Sequence, residues 1–211
     1  MRFKRNERTI SEFNRDVRVV GLTGGIASGK TVAAAALRNA GYVVIDADEI
    51  SRALTAAGSD AEKSLAAMFG TVTAGGKLDR AALRKLIAQD GEARKKLDAF
   101  THPLIIEKIK TAVAAATPPI IISAPLLFET ALSSLCDAVV CIVCPRRIRI
   151  ERIMSRDGLS HGDAERMVDM QLPDSVRATL SEFCVPSDVG ISDFQAEIVE
   201  LFDTLFKRTK V

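Results

Sequence analysis

Apolar positions in this chain fall into short unbroken runs separated by longer stretches of mixed polarity. Val17-Arg18-Val19-Val20-Gly21-Leu22 reads as a first strand, Tyr42–Ile45 as a second, Ile120–Ser123 as a third and Ala138–Val143 as a fourth, with Phe183–Val185 a weaker fifth. None alternates cleanly between apolar and polar, which is how strands buried on both faces of a parallel sheet read. Helical spacing marks Thr31–Ala40, Asp79–Ala88 with Asp79 as its cap, Glu92–Ala116, Arg146–Arg156 and Ser192–Lys207. Between the second and third strands, Asp48–Thr117 is helix-like with one turn at Gly75-Gly76, so a helical lobe inserted into an α/β fold is expected. Met1–Asp16 is charged and without period, and reads as an extension preceding the fold.

Composition narrows the function classes. With 211 residues, 47% of them hydrophobic, the chain can bury one substantial core. A net charge of +2 is far from the basic excess of a nucleic-acid coat, so no nucleic-acid partner is expected. The basic start has no apolar stretch after it, and the longest apolar runs are broken by Pro118, Pro119 and Pro125. We therefore expect a cytoplasmic protein with no membrane partner. Cys136, Cys141 and Cys144 crowd one apolar stretch and Cys184 another, as buried strand cysteines do; Cys141 and Cys144 form a lone CxxC with no second pair.

Gly24-Gly25-Ile26-Ala27-Ser28-Gly29-Lys30-Thr31 fits the phosphate-binding pattern G-x-x-x-x-G-K-[ST], and it sits between a predicted strand and a predicted helix. Small residues let peptide N–H groups curl around phosphate oxygens, and a helix N-terminus adds partial positive charge. Lys30 supplies a full charge, and the Thr31 hydroxyl suits the Mg²⁺ that accompanies a nucleoside triphosphate. A guanine reader of the Asn-Lys-x-Asp type is excluded, because the asparagines are Asn6, Asn14 and Asn39. A motor ATPase is disfavoured because Ile120-Ile121-Ile122-Ser123-Ala124-Pro125 carries no acid at the strand end. A small-molecule kinase remains.

In Val44-Ile45-Asp46-Ala47-Asp48, two carboxylates stand at a strand's carboxyl end, the edge where open parallel sheets bind ligands. Either could accept the proton of an attacking hydroxyl or order water on Mg²⁺, and Asp48 could equally cap the helix that follows it. Arg149, Arg152 and Arg156 share the face of their helix opposite Ile150, Ile153 and Met154. They read either as a charge-neutralising cluster on a lid hinged at Asp157-Gly158-Leu159-Ser160, or as a solvated basic face.

With those residues in view, the chain resembles the dephospho-CoA kinase family of P-loop kinases from about Val19 to the last helix. The resemblance rests on Gly21–Lys30, on Val44–Asp48 with Arg52, on His102-Pro103-Leu104-Ile105, on Pro125-Leu126-Leu127-Phe128-Glu129 and on Arg152–Ser160. It implies a P-loop three-layer α/β sandwich with a five-stranded parallel sheet. The single domain would span 17–211, with a core of 17–47 and 118–211, an acceptor lobe of about 48–117 and a lid of about 146–172. It implies ATP with Mg²⁺ as phosphate donor and dephospho-CoA as acceptor. By carry-over, Asp48, Lys30 and Arg152 would be catalytic. Gly24, Gly25, Ile26, Ala27, Ser28, Gly29, Lys30, Thr31, Val32 and Arg156 would hold the nucleotide, with Mg²⁺ at Thr31. Asp48, Arg52, His102, Pro125, Leu126 and Leu127 would meet the acceptor. The sequence departs from the family where Ala27 and Thr31-Val32 replace the usual Gly and Ser-Thr. It departs again at Ser181–Asp188, where an Ala-Asp-Phe-Val-Ile-Asp-Asn type of segment is usual.

Overall fold

β1 (Val19–Gly24) lies at the centre of a five-stranded sheet in the order β2-β3-β1-β4-β5, with β2 spanning Val43–Asp46, β3 Ile120–Ser123, β4 Ala138–Val143 and β5 Phe183–Pro186. The structure is a computed structural model that describes residues 17–70 and 77–207. The extension before Val17 and the turn at Gly75-Gly76 lie outside the described residues. Pairing is parallel, with Gly21 opposite Ile122 on one side and opposite Val139 on the other, and Cys141 opposite Cys184 farther out. The interior strands are largely apolar because helices cover both faces, and all four residues of β3 are buried, Ser123 among them. β2 is an edge strand, which is why Val43 is left exposed.

The chain divides into two compact units. One takes the described residues up to Ile45 together with those from Ala116 onward, and the other is Asp46–Ala115. In the first, α1 (Lys30–Asn39) and α9 (Ile191–Leu205) press onto one sheet face. Ala33, Ala34, Ala36 and Leu37 of α1 meet Phe194, Ile198, Leu201, Phe202 and Leu205 of α9 over Val20, Leu22, Val140 and Val185. The alanines explain how α1 comes close to the sheet, and each fully buried Leu or Phe contributes about 1.5–3 kcal/mol. α6 (Arg146–Asp157) and α7 (His161–Asp169) form a helical pair around Ile150, Ile153, Ala164 and Val168, and α8 (Asp174–Leu180) leads into β5. A short 3₁₀ turn at Ala131–Leu135 precedes β4.

The second unit holds α2 (Ala47–Leu54), α3 (Asp60–Phe69), α4 (Arg80–Gln89) and α5 (Gly91–Ala115). Leu65, Ala66, Leu78 and Leu83 form its core, with Phe69, Ile87, Leu97 and Phe100 against them. Asp79 caps α4 as its position in the sequence suggests, accepting the N–H groups of Ala81 and Ala82 at 3.0 Å. α5 runs on through Pro103, at the cost of the N–H that would have bonded the Ala99 carbonyl.

All four cysteines are free thiols. Cys141 is fully buried in β4, and burial followed by the neighbouring Cys184 pushes its pKa from 9.0 up to about 12. Cys136 also reaches about 12, through burial first and then Asp137 and Glu182. Because the fold favours the neutral thiol, this contribution to stability is complete below pH 9 and declines as pH rises from 9 towards about 12. Cys141 should resist a thiol reagent at pH 8 in the folded protein and react once unfolded, and global stability should fall on titration above pH 9. Labelling of native Cys141 at the rate of an exposed thiol would contradict this packing.

Candidate active site

β1 ends at Gly24 and α1 begins at Lys30, so residues 25–29 form a loop at the carboxyl edge of the central strand. There the direction of the connections reverses, since β1 leads to β2 at one edge of the sheet and β4 leads to β5 at the other. The loop is closed by the Ser28 N–H donating to the Gly25 carbonyl at 3.0 Å. Gly29 occupies the N-cap of α1 with φ +101°, a backbone suited to glycine, and no side chain caps the helix. The first N–H groups of α1 have no acceptor within the helix, which makes this end an anion site. Ala27 stands at φ +58°, a left-handed conformation that costs a residue with a Cβ about 1–2 kcal/mol.

The polar side chains around the loop fit a phosphate chain. Ser28 Oγ is buried and has no protein partner among the described residues. Lys30 Nζ donates to Ser123 Oγ at 3.0 Å, so the end of β3, which lacks an acid, instead offers a buried hydroxyl to the lysine. Thr31 is exposed on the first turn of α1, where its hydroxyl can take a metal ion. Val32 packs against the core cluster, so any part it has in nucleotide binding goes through its backbone.

The arginines of α6 do not share one environment, contrary to the single face that their spacing suggests. Arg149 is only 3% exposed: Nε donates to the Ile26 carbonyl at 2.8 Å and Nη1 to Asp174 Oδ2 at 2.6 Å. Gly25 has to be glycine here, because a Cβ would overlap the Arg149 guanidinium. Arg152 is half-buried and donates from Nη1 to the Ala27 carbonyl at 3.1 Å and to Cys144 Sγ at 3.4 Å, and from Nη2 to the Ser187 carbonyl at 2.8 Å. Arg156 is largely exposed and pairs with Asp157, whose carboxyl it holds below the usual range mainly by hydrogen bonding. Arg146 ties α6 to α7 through Glu165 at 2.6 Å and Asp169 at 3.0 Å, and likewise lowers the Glu165 carboxyl.

In the helical unit, Asp46 caps α2, with Oδ1 accepting the N–H groups of Asp48 at 2.9 Å and Glu49 at 3.2 Å. The capping role considered for Asp48 therefore belongs to Asp46. Asp48 lies in the first turn of α2 with an exposed side chain, and Arg52 Nε donates to its carbonyl at 3.2 Å. His102 Nε2 is 3.6 Å from Asp98 Oδ1 on α5. After β3, Pro125 and Leu126 are half-buried, but Leu127 is completely buried. Its Cδ2 would lie 2.7 Å from a Cβ placed on Gly21, so Leu127 serves the core rather than an acceptor.

Several residues that support the loop escaped the sequence reading, namely Ser123, Gln171, Asp174 and Ser187. Gln171 Oε1 accepts the Ile26 N–H at 2.6 Å, and Ser187 Oγ donates to the Ser28 carbonyl. The available signal was positional. Ser123 and Ser187 end or follow parallel strands at the carboxyl edge, and Gln171 and Asp174 bracket Leu172-Pro173 at the entry to α8.

Comparison with known proteins agrees with this geometry. A family model for dephospho-CoA kinase matches residues 18–193. A dephospho-CoA kinase from Anaeromyxobacter dehalogenans is 40% identical over 175 residues, covering 80% of this chain and 83% of its own. Its counterpart from Moorella thermoacetica is 35% identical over 187 residues, with coverage of 85% and 88%. A crystal structure from Thermus thermophilus, 26% identical, superposes with a TM-score of 0.77 over 93% of this chain and all of the other. Joined to a phosphate-binding loop at the centre of a five-stranded parallel sheet, these matches place the chain in the dephospho-CoA kinase family.

Proposed function

We propose that the chain transfers the γ-phosphate of ATP to the 3′-hydroxyl of dephospho-CoA, giving CoA and ADP in the last step of coenzyme A formation. The observation that carries this reading is the uncapped, glycine-led start of α1 with Lys30 beside it, in a chain that the dephospho-CoA kinase family model spans over residues 18–193. The first-turn N–H groups of α1 and Lys30 bind the phosphate chain, and the Ser28 hydroxyl, which has no protein partner among the described residues, offers a further donor. The Thr31 hydroxyl would hold Mg²⁺, which when bound neutralises charge on the outer phosphates. Arg152 and Arg156, on α6, add positive charge for the transferring group, and we read the region of α6 and α7 as a lid that excludes water. On the acceptor side, Asp48 receives the proton of the attacking hydroxyl, with Arg52, His102, Pro125 and Leu126 as binding residues. The free thiols and the use of ATP favour the cytoplasm as the compartment. No helix among the described residues is long and apolar enough to cross a membrane.

Lys30→Ala should remove most phosphotransfer while leaving the protein folded, because the side chain reaches Ser123 at the loop rather than the hydrophobic core. Near-normal turnover of a folded variant would defeat the assignment. The Asp48 role is tested by comparing Asp48→Asn with Asp46→Ala. Asp48→Asn should lose on the order of 10²–10⁴ in kcat with ATP affinity and melting temperature little changed. Asp46→Ala should cost about 1 kcal/mol of stability through the lost cap. A fully active Asp48→Asn enzyme would remove Asp48 from the chemistry.

A further inference from the structure

Three consecutive carbonyls of the phosphate-binding loop are held by side chains from other parts of the fold. The Ile26 carbonyl accepts from Arg149 Nε at 2.8 Å, the Ala27 carbonyl from Arg152 Nη1 at 3.1 Å, and the Ser28 carbonyl from Ser187 Oγ. The peptide before them is fixed at both ends, the Gly25 carbonyl accepting the Ser28 N–H at 3.0 Å and the Ile26 N–H donating to Gln171 Oε1 at 2.6 Å. In a trans peptide the C=O and N–H point in opposite directions. Holding the Ile26 carbonyl therefore turns the Ala27 N–H the other way, and holding the Ser28 carbonyl does the same for the Gly29 N–H.

We propose that Arg149 and Ser187 are positioning residues for phosphate binding, which act by anchoring loop carbonyls so that the alternate amides face the anion. A peptide free to rotate would at times present a carbonyl oxygen to the phosphate, replacing attraction by repulsion. The burial of both anchors fits this role, since Arg149 is 3% and Ser187 4% exposed and neither is placed to meet solvent. Arg149 is itself braced from behind. Asp174 Oδ2 receives it at 2.6 Å while Asp174 Oδ1 lies 3.3 Å from Arg177, a fully buried arginine whose other contacts are the Leu172 carbonyl at 2.5 Å and Glu129 at 3.2 Å. Two guanidinium groups and two carboxylates thus balance one another. The Arg149 guanidinium, its charge met by Asp174, acts on the loop as a planar donor of fixed orientation.

The inference rests on the loop being the ATP site, which the unmodified protein tests in the same experiment: absence of MgATP binding there would defeat that reading itself. The variants are Arg149→Met, Ser187→Ala and Ser187→Thr, each measured for MgATP Kd, KM for both substrates, kcat and melting temperature. Arg149→Met and Ser187→Ala should raise the MgATP Kd by about fivefold or more, with KM for dephospho-CoA within about twofold of the unmodified protein. Ser187→Thr, which keeps the hydroxyl, should restore most of the affinity. A smaller rise in Kd in folded variants, equal changes for both substrates, or failure of Ser187→Thr to differ from Ser187→Ala would overturn the proposal. Should Arg149→Met not fold, because it leaves the buried Asp174 short of a partner, the two Ser187 variants decide the matter alone.

Discussion

A helix that begins without a side-chain cap leaves its first peptide N–H groups with no acceptor inside the helix, and the core unit is arranged around that constraint at α1. β1 must be central, so that β3 and β4 can bring Ser123 and the start of α6 to the same edge. Glycine must stand at position 25, where the Arg149 guanidinium covers the backbone, and at position 29, where φ is +101°. The alanines of α1 let that helix lie close over Val20 and Leu22, so its N-terminus is fixed to the sheet rather than to a flexible loop. Packing, sheet order and local backbone thus converge on one small volume of positive potential.

The helical unit is built on different terms. Its described helices include two capped by ordinary means, Ser59 for α3 and Asp79 for α4, and its core is small. At its first residues Asp46 takes the capping role at the end of β2, and Asp48 follows in the first turn of α2. That difference between two neighbouring carboxylates is a local event: Asp46 accepts two N–H groups, and Asp48 stands exposed in the first turn of the helix.

Elements defined by local pattern were legible in the sequence. β3 and β4 were read to their observed ends, and α4 and its Asp79 cap were placed within a residue, because buried runs and capping residues announce themselves locally. The phosphate loop was legible because its geometry demands particular residue types at fixed spacing. The side chains that hold the loop were not. Arg149 follows the loop by more than a hundred positions and lies on a helix whose periodicity suggests a solvated face, yet burial and Asp174 take it inward. Ser187 and Gln171 have no motif at all, since a single hydrogen bond to a carbonyl or amide constrains only one donor or acceptor atom. Leu127 misled in the opposite sense: it belongs to a segment that marks the family, but its own side chain fills the space that Gly21 leaves beneath β1.

The group that receives the phosphate held at the loop decides the function. The most direct measurement follows ADP release by the purified protein with MgATP and, in turn, dephospho-CoA, adenosine, gluconate and shikimate, with the phosphorylated product identified by mass and by ³¹P NMR. ADP should appear well above background with dephospho-CoA alone, together with a product carrying one new phosphate on the ribose 3′-oxygen. Equal turnover with another of these acceptors, or ATP binding with no transfer to dephospho-CoA, would contradict it.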